Sequence, residues 1–145
     1  MAPVGLDLMS RLRDAPRAVV VPVPATAARL RERGFNQARS LADGVGRALG
    51  LHVVEALVRT PGGGRQAAVG AAERRSNVAG RFRVAAGVSR GGSALIVDDV
   101  VTTGATLGAC ARALAEAGFT RIGGLTFART APGPRSGRLS DRERP

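Results

Sequence analysis

The chain has 145 residues, 44% of them hydrophobic, and a formal net charge of +11, enough for one domain with its own core. No stretch is long and apolar enough to span a bilayer. The N-terminus also lacks a basic region followed by an unbroken apolar core, so no signal peptide is read and the cytoplasm is the expected compartment. All 22 basic residues are arginine, which excludes lysine from any catalytic scheme. Trp and Tyr are absent and only four Phe are present, so a stacking platform for single-stranded bases is poorly supplied. Electrostatic contact with nucleic-acid phosphates stays open, although the abundant Ala and Gly mark part of the arginine excess as compositional bias.

Leu6, Leu8, Met9 and Leu12 mark the end of a helix, with Pro16 in the turn after it, so residues 1–17 form a helical lead. Ala18 to Val23 is a strand that must end near Pro22 and Pro24, which would break a central ladder. Phe35, Ala38, Leu41, Ala42, Val45, Ala48 and Leu49 then form one apolar helical stripe that Gly50 stops. Val53 to Val58 alternates weakly and reads as strand.

Thr60 to Gly70 has the composition of a mobile loop, Ala71 to Val78 reads as a short helical turn, and Arg81 to Val84 as a short strand. Leu95, Ile96 and Val97 form a continuous apolar run, the pattern of a parallel strand buried on both faces, and the strand is expected to stop at the acids that follow. Leu107, Cys110, Ala111, Leu114 and Ala117 recur at helical spacing. Cys110 therefore reads as a small buried apolar residue rather than a nucleophile. Arg121 to Phe127 is a last strand, and from Ala131 Pro, Gly, Ser and Arg dominate, as in a disordered basic tail. Strands alternating with helices imply an α/β domain over residues 18–130 with a mainly parallel sheet.

Asp98 and Asp99 are expected at the carboxyl end of their strand, the edge of an open α/β sheet where ligands bind. Adjacent carboxylates there can accept hydrogen bonds from a vicinal diol, or hold magnesium directly or through water. Thr102, Thr103, Gly104, Ala105 and Thr106 lead into the next helix, whose first N–H groups suit a phosphate. A diol reader and a phosphate cradle a few residues apart match the span of a ribose 5-phosphate. Earlier in the chain, the segment from Arg29 to Gln37 places three arginines, Arg29, Arg31 and Arg33, with Gly34, Asn36 and Gln37 after the first strand. It reads either as a solvated basic turn or as a loop gathered around a second anionic group. His52, the one histidine, reads as a surface residue.

The loop from Asp98 to Thr106 resembles the phosphoribosyl pyrophosphate (PRPP) signature of type I phosphoribosyltransferases. Together with Arg33-Gly-Phe-Asn-Gln37 before it, the pattern resembles the ComF family of competence-associated, amidophosphoribosyltransferase-like proteins. The likeness extends through Leu57-Val-Arg-Thr60, Arg65-Gln66, Glu73 to Val78 and Phe82, and ends near Thr130.

The resemblance implies a type I phosphoribosyltransferase fold, an open, mainly parallel sheet flanked by helices. Asp98 and Asp99 then match the ribose-hydroxyl readers and Thr102 to Thr106 the 5-phosphate loop. Arg31, Arg33, Gly34, Asn36 and Gln37 take the place of the pyrophosphate loop. Residues 60–77 take the place of a flexible closing loop, with Arg65, Arg74 and Arg75 as alternative candidates for contacting pyrophosphate and Arg65 joining the two acids in catalysis. The implied reaction transfers a phosphoribosyl group from magnesium PRPP to a nitrogen acceptor. The rival readings are a protein that binds PRPP or a nucleotide without turnover, as a regulator or as a DNA-uptake accessory that contacts single-stranded DNA or DNA-uptake proteins, and a basic nucleic-acid-binding module whose phosphoribosyl pocket is vestigial. A second copy of the chain is a further expected partner. Many members carry an N-terminal cysteine-rich zinc segment that has no counterpart here, through a natural short form or a late assigned start, so no zinc is expected in this chain.

Overall fold

A computed structural model describes residues 15, 17–60, 81–89 and 91–130. Its main sheet is formed by β1 (Ala18–Pro22), β2 (His52–Val53), β5 (Ser93–Val101) and β6 (Arg121–Arg129) in the order β2-β1-β5-β6. All its pairings are parallel. A second, two-stranded antiparallel sheet joins β3 (Leu57–Arg59) to β4 (Phe82–Val84). Three helices complete the described chain: α1 (Ala27–Arg33), α2 (Gln37–Leu49) and α3 (Ala105–Glu116).

The continuous apolar run predicted to be buried on both faces is the middle of β5, where Ala94, Leu95, Ile96 and Val97 are at most 1% exposed. Alternation along the strand sends Leu95 and Val97 toward Ala42 and Val45 of α2, while Ala94 and Ile96 join Ala109, Cys110, Ala113 and Leu114 of α3. Helices therefore cover both faces, as a parallel sheet requires. The β3–β4 ribbon packs on α3, and its Leu57 and Phe82 belong to the same core cluster.

Several expected boundaries move. Residues 29–33, read as part of a loop, lie in the seven-residue helix α1, which buries no side chain and so shows no apolar stripe. Of the predicted stripe of α2, Ala38, Ala42 and Val45 are buried, but Phe35 precedes the helix and is 52% exposed, and Ala48 faces solvent. The single strand expected over Val53 to Val58 is two short strands in different sheets. β5 does not stop at the acids but runs on to Val101, and β6 extends to Arg129. The lead, the tail and the segment from residue 61 to 80 fall outside the described residues, apart from Ala15 and Arg17.

Gly46 is where α2 meets the chain returning into β2. A Cβ there would stand 2.8 Å from both the Leu51 carbonyl oxygen and Val53 Cγ2, whereas one on Gly44 meets nothing within 4 Å. Gly44→Ala is expected to raise stability by about 0.5–1 kcal/mol through helix propensity. Gly46→Ala is expected to lower it by about 1–3 kcal/mol through overpacking. Urea midpoints of the two variants check the opposite signs.

Candidate functional site

Asp98 and Asp99 stand where β1 has run out. The β1–β5 pairing ends at Pro22↔Val97, while β5 remains paired to β6 through Val101↔Arg129. Pro22 has no N–H to carry a ladder further, and after one more bond, from Val23 N–H to the Val97 carbonyl at 2.9 Å, the chain turns toward α1. The end of β5 is thus open on the β1 side, and a cleft of about 300 Å³ occupies the space. Residues from β1's exit, α1, the start of α2, β3, β5 and α3 line it.

Continuing the alternation of β5, Asp98 follows Ile96 on the α3 side and Asp99 follows Val97 on the α2 side. Asp98 is 7% exposed, and its Oδ1 accepts the Asp99 N–H at 2.9 Å. Burial, with the Asp99 carboxyl bonded and charged beside it, pushes Asp98 up to about 6. Asp99 Oδ1 accepts the Val100 N–H at 2.9 Å and lies 3.7 Å from Arg29 Nη1, while its Oδ2 lies 3.7 Å from Arg33 Nη1.

The Thr/Gly loop connects the end of β5 to the start of α3. Thr102, Thr103, Gly104, Ala105 and Thr106 line a small recess of about 40 Å³. Its walls share Asp98, Val100, Thr102 and Thr106 with the larger cleft. Gly104 caps α3 at φ 76° with no side-chain cap bond, a left-handed conformation that glycine adopts without cost. The one hydroxyl turned back on the helix start is Thr103 Oγ1, which accepts the Ala105 N–H at 3.3 Å.

The segment from Arg29 to Gln37 is divided between α1 and the start of α2. Thr26 starts α1 by accepting the Arg29 N–H, and Gly34 ends it at φ 77° with its N–H on the Leu30 carbonyl. On this helix Arg29 and Arg33 are one turn apart and both line the cleft, whereas Arg31 is exposed and does not. Asn36, expected as a ligand donor, lines the cleft and also ties two elements of the fold together. Its Nδ2 donates to the Val23 carbonyl at 3.0 Å and its Oδ1 caps α2 by accepting the Ala38 N–H. Gln37 lines the cleft and accepts a hydrogen bond from Arg33. Arg65, Arg74 and Arg75 lie outside the described residues.

Arg59 and Arg81 line the cleft without having been singled out from the sequence, beside Arg29, the first of the three arginines read in the segment from Arg29 to Gln37. Arg59 Nε donates to the Pro24 carbonyl at 2.8 Å, and its guanidinium lies 4.7 Å from the Phe82 ring centre. Burial lowers its pKa, and the neighbouring Arg81 and Arg29 charges act in the same direction. The cleft therefore gathers four arginines around two acids, an excess of positive charge suited to a polyanion. The i,i+4 spacing of Arg29 and Arg33 would have paired them had α1 been recognised. Arg59 and Arg81 carry no such local signal, because they meet the site through the β3–β4 ribbon.

Residues 17–143 match the phosphoribosyl transferase domain family. No curated protein matches the sequence. Among solved structures the chain is similar to a glutamine PRPP amidotransferase from B. subtilis complexed with ADP and GMP, with 24% identity and a TM-score of 0.52 over 83% of this chain. A second similar structure, described as the allosteric regulatory enzyme of purine biosynthesis, shows 22% identity and a TM-score of 0.52 over 82% of this chain. An orotate phosphoribosyltransferase from Aeropyrum pernix shares 18% identity at a TM-score of 0.48, over 87% of this chain and 58% of that one. The match spans only 25% and 24% of the length of the first two proteins, and at such identities the likeness concerns the fold. With the open parallel sheet and the family match over most of its length, the chain belongs to the phosphoribosyl transferase domain family.

Proposed function

We propose that the chain binds PRPP and transfers its phosphoribosyl group to a nitrogen acceptor with release of pyrophosphate. The observation that carries this reading is the shared wall at Asp98, which joins an arginine-rich cleft to a Thr/Gly recess. A ribose 5-phosphate fits that junction with its phosphate on the first turn of α3 and its hydroxyls against the acids. The pyrophosphate then extends toward Arg29 and Arg33.

In the reaction the acceptor's nitrogen lone pair attacks the anomeric carbon as the bond to the pyrophosphate oxygen breaks. Positive charge develops on the sugar beside the two carboxylates, and negative charge on the leaving group beside the arginines. No protein nucleophile is required. Cys110 is fully buried with its thiol pushed up to about 12, and His52 is exposed on the far strand β2. Among the described residues no group of three or more His, Cys, Asp or Glu side chains converges. The donors at hand therefore fit magnesium that arrives on its substrate, held by one or two carboxylates with phosphate oxygens and water. Bound so, magnesium would neutralise charge on the departing pyrophosphate. Arg33-Gly-Phe-Asn-Gln37 ahead of the Asp98 loop supports a place in the ComF branch of the family. A binder without turnover would use the same residues.

Calorimetry with magnesium PRPP is expected to give binding that Asp98→Asn/Asp99→Asn weakens by about a hundredfold or more; unchanged affinity would reject the site. Pyrophosphate release is expected from one class of acceptor in a panel of bases and amines. Binding without release across the whole panel would leave a binding protein in place of a transferase. The acid that faces the ligand also leaves a mark on stability. Because folding raises Asp98 to about 6, the native chain binds more protons than the unfolded one between the ordinary carboxylate range and about 6. Stability therefore falls as pH rises through that window. Asp98→Asn is expected to melt higher than the wild type at pH 7.5 and no higher at pH 4, as thermal scans at the two pH values would show.

A further inference from the structure

Arg29 and Arg33 project from a helix that buries none of its own side chains, so their orientation depends on a partner. That partner is Asp99, whose two oxygens each stand 3.7 Å from one guanidinium. Arg33 is held from the other side by its hydrogen bond to Gln37 Oε1. Among the described residues no other carboxylate pairs with either arginine, since Asp43 and Glu55 both engage Arg39. Asp99 lies largely covered, with 16% of its side chain exposed, and also accepts the Val100 N–H. The carboxylate on the diol side of the cleft is thus already engaged, and by the two cations that an anionic ligand would seek.

We infer that Asp99 is an internal substitute for the ligand's anion, closing Arg29 and Arg33 into a clamp while the site is empty. The inference rests on the PRPP reading and adds Arg29 to the residues that bind the pyrophosphate. A ribose diol that draws Asp99 away frees both arginines, and a pyrophosphate that draws the arginines away frees Asp99. The two halves of the ligand therefore assist each other, and neither half alone gains the full benefit of its partners. The clamp would also favour the intact donor over free pyrophosphate.

The test is calorimetry with metal-free inorganic pyrophosphate and, separately, ribose 5-phosphate, at constant ionic strength. Asp99→Asn is expected to bind pyrophosphate about three- to tenfold more tightly, the scale of two exposed ion pairs released, and ribose 5-phosphate more weakly. In an Arg29→Gln/Arg33→Gln background the gain for pyrophosphate should vanish. A gain that persists without the arginines would be plain repulsion by Asp99 and would overturn the clamp. So would a pyrophosphate affinity that Asp99→Asn leaves unchanged or lowers while the wild type binds both ligands. A wild type that binds neither ligand would remove the PRPP reading itself, and the clamp with it.

Discussion

The ladder between β1 and β5 ends at Pro22 and Val97, while β5 stays paired to β6 as far as Val101, and this offset decides where the polar groups of the site stand. A parallel strand covered on both faces has no place for a carboxylate in its interior. Past the end of β1 the same strand is still paired to β6 but has lost a neighbour, so Asp98 and Asp99 are held on one side without being sealed. The gap left by β1 is filled by no other strand among the described residues. α1 and the turn into α2 pass beside it, and the cleft is what remains.

Electrostatics follows from that geometry. Successive residues of a strand face opposite ways, so two acids adjacent in sequence meet different surroundings. Asp98 goes toward the α3 face, where burial holds its proton more tightly. Asp99 goes toward α1, where two guanidiniums balance it. Around them Arg59 keeps its charge in a half-buried setting, held by the Pro24 carbonyl and the Phe82 ring. A partly desolvated acid and a partly desolvated arginine in one cleft each cost folding energy. Such costs are common where a protein keeps groups ready for a ligand.

The parts legible in the sequence are those where local pattern and burial agree. The run Leu95 to Val97 is apolar because both faces of β5 are covered, and α3 shows its period because Cys110 and Leu114 are packed against the sheet. α1 has neither cue: at seven residues without a buried side chain, only Thr26 and Gly34 mark its ends. Val53 and Leu57 look like one strand because period-two alternation does not say which sheet a residue joins. Phe35 fits the α2 stripe by phase and yet precedes the helix, because the Asn36 cap starts α2 one residue later and leaves Phe35 on the cleft wall.

From sequence alone come the α/β class, the order of the elements around β5, and the position of the loop from Asp98 to Thr106 between a buried strand and a helix start. These depend on neighbours within a few residues, where side-chain period, turn residues and helix starts act directly. Tertiary structure alone decides that Arg29 and Arg33 meet Asp99, that Arg31 does not line the cleft, and that Arg59 and Arg81 line it from the second sheet. Those pairings join segments far apart in the chain, and they depend on the phase of a short helix and on the length of β1 relative to β5.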